Sequence, residues 1–138
     1  MPPEQAQMPT ATTTLGELVG AAQAYKAKGW RFAQCCASRN GDDAFELLYS
    51  FVDDATNEVA NLRVCVSSSD EIPSVGGIYP VAFMFENEMH DLYGLTVVDM
   101  NLDYRGGFYH LHIPAPMAQA PQGKAKLAAA AKPAAAAE

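Results

Sequence analysis

Acidic and imidazole side chains that could take part in catalysis lie close together in one stretch of the sequence. Glu86, Glu88, His90 and Asp91 fall within a short segment. Carboxylates beside an imidazole can act as general acids and bases. A helix would spread these four side chains widely around its axis, and no nucleophile or phosphate-binding loop accompanies them. We therefore predict that the chain has no catalytic residues of its own.

Histidines form a second group that could do chemistry. His110 and His112 alternate, so a strand would place both on one face, at a spacing that could hold a metal ion. His90 would have to supply a third ligand, and no nearby cysteine or carboxylate completes the set. We predict hydrogen-bonded or solvated histidines and no metal site. A stand-alone metal-binding protein that uses these three histidines is the alternative from another functional class.

The cysteines and glycines do not form a cofactor-binding pattern. Cys35, Cys36 and Cys65 are odd in number and lack a CxxC spacing, which argues against a disulfide framework or a cluster held by cysteine alone. Cys35 and Cys65 are predicted core residues, since free cysteine is readily buried. The two Gly-Gly pairs lack the spacing of a dinucleotide-binding loop. We expect no cofactor on this chain.

Composition and charge narrow the class of protein further. The chain has 138 residues and a net charge of −7, with a hydrophobic content of 49%. An acidic chain is repelled by phosphate, so nucleic acid is an unfavourable partner. No apolar run reaches the roughly 18 residues that a membrane span needs. The first residues lack the features of a signal peptide. A cytosolic, acidic protein is the expectation.

The chain divides into three parts. Residues 1–13 are Pro, Gln, Thr and Ala with a single charge, and we expect a flexible lead. Residues 115–138 are rich in Ala and Pro, with too few large apolar side chains to offset the entropy of ordering, and we expect a disordered tail. The folded domain is therefore predicted over residues 14–114.

The elements that must position the chemical groups follow in a readable order. Thr14, with Glu17 three residues later, predicts a helix start of the capping-box type, and Gly29 predicts its end. Three strands with turn residues between them should then form an antiparallel meander, and a last short strand is expected after the second helix. These strands are predicted at Trp30–Ser38, Phe45–Phe51, Val59–Val66 and Phe108–Ile113. Ser67–Gly77 is predicted as a polar loop. The pattern indicates an α+β fold, a small mainly antiparallel sheet packed by two helices.

The second helix carries the acidic stretch. Pro80 suits its first turn and Gly94 suits its C-terminal stop. At 100° per residue its apolar side is predicted to hold Val81, Phe85, Met89 and Leu92. Its polar side is predicted to hold Glu86, Asn87, His90 and Asp91. Two residues break the pattern: Glu88 falls on the border of the apolar side, and Phe83 falls on the polar side, where an apolar group often marks a contact surface.

The run from Phe85 to Leu95 resembles the signature of the 30-kDa-subunit family of respiratory complex I, also known as the C subunit of NADH dehydrogenase. That pattern is roughly Glu-x-Glu-x-x-Asp-hydrophobic-aromatic-Gly-hydrophobic. It matches Glu86, Glu88, Asp91, Leu92, Tyr93, Gly94 and Leu95. The resemblance extends over residues 14–113. Two departures stand out: Asn87 replaces an Arg of many members, and an Ala/Pro tail replaces the long C-terminal segment of the respiratory subunit.

The resemblance implies a function that the residues alone do not show. Compact members of the family occur in energy-converting (group 4, Ech-type) NiFe hydrogenases, and the chain resembles the D subunit of these complexes. Such a protein carries no cofactor and docks on the NiFe large subunit at the cytoplasmic side of the membrane, near the iron–sulfur subunits. Glu88 and Asp91 would be structural ions, and Phe83 and Tyr93 would join the docking surface. Further contact candidates in the next loop are Asp103, Tyr104 and Arg105. The alternative is the same kind of subunit in a NADH/quinone- or formate-linked complex.

Overall fold

The computed structural model describes residues 9–118 of the chain. Two α-helices and six strands are present in this part, and a 3-10 turn lies at its end. In chain order they are β1 (Thr10–Thr12), α1 (Leu15–Ala27), β2 (Arg31–Arg39), β3 (Phe45–Asp53), β4 (Glu58–Val66), β5 (Glu71–Pro73), α2 (Ala82–Tyr93), β6 (Thr96–Val98) and the 3-10 turn (Pro116–Ala118). The predictions for residues 1–8 and 119–138 lie outside the described residues.

The main sheet has four strands in the order β1-β4-β3-β2. The three long strands form the expected meander: β2 pairs antiparallel with β3, and β3 pairs antiparallel with β4. A second, two-stranded sheet joins β5 and β6 in parallel. The predicted α+β fold, with a mainly antiparallel sheet and two helices, is therefore confirmed.

Residues 10–12 correct the predicted domain boundary. We expected them in a flexible lead, but they form β1, which pairs in parallel with β4 from Thr10 opposite Asn61 to Thr12 opposite Arg63. The backbone N–H of Thr13 continues the contact to the Arg63 carbonyl at 2.9 Å. The pairing satisfies edge groups of β4 that would otherwise need another partner. Local composition could not predict it, because the partner strand lies far along the chain.

The region after α2 differs from prediction as well. The expected strand at Phe108–Ile113 is wrong: residues 99–115 contain neither helix nor strand. The strand that follows α2 is β6, and its partner β5 lies inside the segment predicted as a polar loop. Both strands have three residues, too few for a recognisable alternation, and each exists because the fold brings it to the other.

One face of the main sheet carries the apolar core. Alternate side chains of β3 are buried, and both helices pack on that face. Tyr25 of α1 stacks on Phe51 with ring centroids 4.4 Å apart, and Phe85 of α2 meets Phe32 edge-on at 5.8 Å. The opposite face holds polar pairs such as Arg63 with Glu46. This inside–outside alternation is typical of an antiparallel sheet covered on one side.

The helix ends follow the sequence signals in part. Gly94 closes α2 in the left-handed conformation, with φ 70°, and donates its N–H to the His90 carbonyl at 2.9 Å, as predicted. Thr14 is the N-cap of α1, but its side chain makes no capping hydrogen bond, so the predicted capping box does not form. The Thr13 hydroxyl contacts the Glu17 carboxylate instead, at 3.4 Å. Within residues 9–118, neither helix has the length and apolar character that a membrane crossing requires.

Candidate docking site around the second helix

The polar residues of the signature on α2 point inward. Glu86 and Asn87 are each 1% exposed and Asp91 is 5% exposed, whereas Val81, predicted on the apolar side, is 46% exposed. The predicted polar side of α2 is therefore buried at Glu86, Asn87 and Asp91, although its polar character would suggest exposure to solvent. The physical reason is that the sheet covers only one side of the helix, and residues 99–118 pass over another.

Glu86 holds the loop between β5 and α2. Its Oε1 accepts a 2.9 Å hydrogen bond from the Ser74 hydroxyl, whose oxygen in turn accepts the Gly76 N–H at 2.9 Å. The backbone N–H groups of Val75 and Gly76 also favour its ionised form, but burial outweighs them and raises the pKa of Glu86 to about 7. Oε2 is buried and has no hydrogen-bond partner within residues 9–118. Glu86 thus belongs to the interior and cannot contact a partner directly.

Asn87 fastens the start of residues 99–118, which we call the long segment, to α2. Its amide nitrogen donates to the Phe83 carbonyl at 2.7 Å and to the Leu102 carbonyl at 2.8 Å. Its amide oxygen accepts the Tyr104 N–H at 3.0 Å. Three backbone groups are thereby satisfied by one side chain. An Asn at this position therefore fixes where residues 102–104 cross α2.

Asp91 fastens the same segment further along. Its Oδ2 accepts the backbone N–H of Tyr109 at 2.8 Å, and its Oδ1 lies 3.0 Å from Nδ1 of His90. The Asp91 side chain is fully buried between these contacts, whereas the His90 ring is partly exposed. The Asp91 carboxyl oxygens that make these contacts hold the Tyr109 backbone against α2.

Glu88 occupies the border position that its phase on the helix predicted. It is half-buried and lies near β2 and the long segment. Burial and then the Glu88 carboxylate raise the pKa of the Cys36 thiol and of the Tyr109 hydroxyl. The pKa of the Tyr93 hydroxyl is also raised, first by burial and then by Cys36 and Glu88. Glu88 is therefore partly exposed beside neutral partners, whereas Glu86 is fully buried.

The remaining predicted contact residues lie on the segment side of α2. Phe83 is half-buried and stacks on Tyr104, with ring centroids 6.4 Å apart. Asp103 and Arg105 are exposed, and the Arg105 N–H donates to the Asp103 carboxylate at 2.7 Å. Leu92 and Tyr93 are half-buried, and the Tyr93 ring meets Phe45 of the sheet.

Large apolar side chains are exposed at the start of α2 and along the long segment. Two belong to the start of α2 and the others to the long segment. They are Val81, Met84, Leu102, Tyr104, Tyr109, Leu111, Ile113 and Met117. We define these eight residues as the apolar rim. Exposed large apolar groups that recur along neighbouring elements are candidates for a contact surface.

The three histidines lie around one cavity. His90, His110 and His112 line a space of about 650 Å³ between α2 and residues 106–115. Within residues 9–118, however, no group of three or more His, Cys, Asp or Glu side chains is arranged to hold a metal ion. The metal-binding alternative therefore has no preformed ligand set in the described part of the chain.

The three cysteines are free thiols. Cys35 is buried in the core, as predicted, with its Sγ 3.6 Å from the sulfur of Met89. Cys65 is exposed, so the prediction that it is a core residue is wrong. It sits on the face of β4 opposite Val64 and Val66, where the alternation turns it to solvent.

Sequence reasoning missed several residues that build this site. Ser74, Gly76 and Asn101 lie in segments that we treated as plain loops, yet they join the two loops that Glu86 and Asn87 hold. A Cβ at Gly76 would lie 2.8 Å from Cγ of Asn101, so the two loops approach each other closely at this point. The spacing of Glu86, Asn87 and Asp91 was the available signal. If another part of the chain covers that side of the helix, these polar side chains need hydrogen-bond partners from its backbone.

The geometry defines a class of protein: a small α+β domain whose second helix orients a long, apolar-rimmed segment. The chain belongs to the family of the 30-kDa subunit of respiratory-chain NADH dehydrogenase, which matches residues 11–114. This confirms the resemblance at the level of the family.

Individual relatives agree with that membership. The chain is 30% identical over 54 residues to the C subunit of NADH-quinone oxidoreductase from Jannaschia sp. (strain CCS1), a match that covers 39% of this chain and 26% of that protein. It is 33% identical over 51 residues to the protein of the same name from Ruegeria pomeroyi, covering 37% and 26%. The matched region is thus about a quarter of the length of these relatives.

A solved structure shares the fold. A chain in the membrane-bound sulfane sulfur reductase, an archaeal respiratory membrane complex, superposes with a TM-score of 0.64 at 16% identity. The match covers 74% of this chain and 64% of that chain. At this identity the likeness shows the fold alone.

Proposed function

We propose that this chain is a cofactor-free accessory subunit of a membrane-bound, energy-converting NiFe hydrogenase complex. In that complex, ferredoxin-linked H2 evolution or uptake is coupled to ion translocation. The chain docks on the NiFe large subunit, close to the iron–sulfur small subunit, and reaches the membrane subunits only indirectly. The NiFe centre and the iron–sulfur clusters belong to those partners. The chain itself is peripheral, on the cytoplasmic side of the membrane.

One observation carries this proposal: Asn87 and Asp91 of α2 turn inward and orient a segment whose apolar side chains are exposed. Glu86, Asn87 and Asp91 use their polar atoms on backbone and hydroxyl groups of the same chain. The side chains of the apolar rim, in contrast, keep a large part of their surface exposed to solvent. Burying it against another subunit would gain free energy through the hydrophobic effect, at about 25 cal/mol per Å² of apolar surface. A docking domain is expected to combine such internal polar contacts with an exposed apolar contact surface.

Two further observations agree with a subunit of a large complex. The family match spans nearly all of the described residues, and the same fold occurs in a chain of an archaeal respiratory membrane complex. That complex is a sulfane sulfur reductase, so the fold also serves complexes that are not NADH dehydrogenases.

A second candidate is a 30-kDa-type subunit in a NADH/quinone- or formate-linked complex. It is favoured by the names of the curated relatives, which are C subunits of NADH-quinone oxidoreductase. Both candidates predict the same docking domain, and they differ in the identity of the partners.

The test is an affinity purification of the tagged full chain from its native membranes in mild detergent. Mass spectrometry identifies the co-purified subunits, and metal analysis is run on the complex and on the isolated chain. A NiFe large subunit with iron–sulfur subunits supports the hydrogenase proposal. Co-purification of NADH-binding or formate-oxidising subunits would instead support the second candidate. The chain alone with stoichiometric metal would overturn both and favour the histidine site.

A matched pair of variants tests the apolar rim. Met84→Glu adds one charge at an exposed position of α2, and Gln23→Glu adds the same charge at an exposed position of α1. We expect Met84→Glu to reduce co-purification of the large subunit at least tenfold and Gln23→Glu to leave it unchanged. Equal recovery with both variants would exclude the rim from the interface.

A further inference from the structure

Glu86 is a buried acid in surroundings that offer it no positive charge. The titratable side chains that interact with it from the sheet are Cys35 of β2 and Tyr49 of β3. Burial raises the pKa of both well above its usual value, so both are neutral near pH 7. Within residues 9–118 the Ser74–Gly77 loop supplies only hydroxyl and N–H groups to the carboxyl, and no cation acts on it.

The two oxygens of this carboxyl group have unequal surroundings. Oε1 accepts the Ser74 hydroxyl hydrogen at 2.9 Å. Oε2 is buried and unpartnered among the described residues. A proton on Oε2 removes the charge while Oε1 keeps its hydrogen bond. Ionisation instead leaves a charged oxygen without water, which is unfavourable unless the Ser74–Gly77 loop opens.

The Ser74–Gly77 loop that holds Glu86 touches a second loop, which contains Asn101. Gly76 lies against the Asn101 side chain, close enough that a Cβ would sit 2.8 Å from its Cγ. Asn101 donates to the Pro80 carbonyl at 3.2 Å, and the following residues are held by Asn87. Movement of the Ser74–Gly77 loop is therefore transmitted to residues 101–104, which carry Leu102 and Tyr104 of the apolar rim.

We propose that the Glu86 carboxyl is a proton-operated latch that closes the Ser74–Gly77 loop over α2 when it is neutral and releases that loop when it is ionised. Release admits water to Oε2 and loosens the contact between Gly76 and Asn101. The edge of the apolar rim is then less firmly positioned. This inference stands on the contacts of Glu86 and does not depend on which complex the chain joins.

The position of the transition follows from burial. The pKa of Glu86 is raised from 4.5 to about 7 in the closed arrangement, and opening restores ordinary hydration. For a carboxyl that titrates near 7 when closed and 4.5 when open, the open fraction rises about tenfold between pH 6 and pH 8. The latch therefore operates in the physiological range.

Hydrogen–deuterium exchange of the full chain tests the latch. After correction for the intrinsic pH dependence of exchange, protection of the amides of residues 75–77 and 101–104 should fall about tenfold from pH 6 to pH 8. Amides in the β3–β4 ladder serve as the internal reference and should keep their protection. In the Glu86→Gln variant, which is neutral at every pH, both loops should stay protected.

Glu88→Gln is the matched control, since it removes one carboxylate from the same helix without touching the Ser74–Gly77 loop. It should keep the pH dependence of the wild-type chain. Equal behaviour of wild type and Glu86→Gln would overturn the proposal. If Glu86→Gln fails to fold, ¹³C NMR titration of the wild-type Glu86 carboxyl decides: a midpoint near 7 supports the latch, and a midpoint below about 5.5 contradicts it.

Discussion

The main sheet and residues 99–118 both cover α2, but they are attached to it by different interactions. On the sheet side, Phe85 and Met89 make apolar contacts with Phe32 and Cys35. On the segment side, Asn87 and Asp91 make hydrogen bonds to backbone groups. The sheet has its own backbone ladders, whereas residues 99–115 have no helix or strand to satisfy theirs.

The difference shows what each kind of residue in the signature contributes. Apolar burial is strong and non-directional, so it joins helix and sheet while specifying position only through packing. A hydrogen bond from a buried side chain to a backbone group is weaker but directional. The polar residues of α2 are therefore the ones that position an irregular segment, and the apolar residues are the ones that stabilise the fold.

The largest loss of stability should follow from removing an apolar side chain of the core on the sheet. Phe51 is fully buried and stacks on Tyr25. Phe51→Ala should lower the free energy of unfolding by about 3–5 kcal/mol, because it removes apolar contacts and leaves a cavity. Urea unfolding followed by circular dichroism measures the change. The exposed Gln34→Ala on β2 should shift stability by less than about 0.5 kcal/mol, and a similar loss in both variants would contradict this view of the core.

The next effect should come from the charge of Glu86. Its pKa is raised from 4.5 to about 7 in the folded chain, so the folded state binds this proton more tightly than the unfolded state. The resulting stabilisation is fully present below about pH 4.5 and is lost as the pH rises through 7. The free energy of unfolding should fall by a few kcal/mol over that window relative to Glu86→Gln. Parallel pH profiles for the two proteins would show that folding does not raise the pKa of Glu86.

A smaller and more local effect is expected on the segment side. Asp91→Ala leaves the partly buried Tyr109 N–H without its acceptor, which costs up to about 1–3 kcal/mol. Hydrogen exchange should show residues 106–112 losing protection while the β3–β4 ladder stays protected. Asp91→Asn keeps an oxygen that can accept the N–H and should retain most of the protection. Global unfolding by Asp91→Ala would mean that the segment is part of the core after all.

The smallest effect should arise where the two loops meet. Gly76→Ala places a Cβ against the Asn101 carboxamide, whose flexible end can move away at the expense of its bond to the Pro80 carbonyl. We expect a loss of about 1 kcal/mol. The double variant with Asn101→Ala relieves the collision, so a double-mutant cycle should give a coupling of at least about 0.5 kcal/mol. Strict additivity would show that the two loops are independent.

Sequence reasoning recovered the elements that depend on near neighbours. The meander of β2, β3 and β4, both helices and the Gly94 stop were predicted, because alternation, helical period and glycine signals act within a few residues. It failed for β1, β5 and β6, which are three residues long and pair with strands distant in sequence. It also failed for the polar side of α2, since amphipathicity assumes that only one side of a helix is covered.

The sequence by itself determined that the chain forms an α+β domain with a signature helix, since residue type and local spacing specify strands, turns and helix ends. Only the tertiary structure decided what that signature does. Glu86, Asn87 and Asp91 could have faced solvent or a partner equally well. Asn87 and Asp91 face inward because residues 99–118 fold back over α2, and partly buried backbone groups there take acceptors and donors from the helix. Glu86 faces inward because the Ser74–Gly77 loop packs on it.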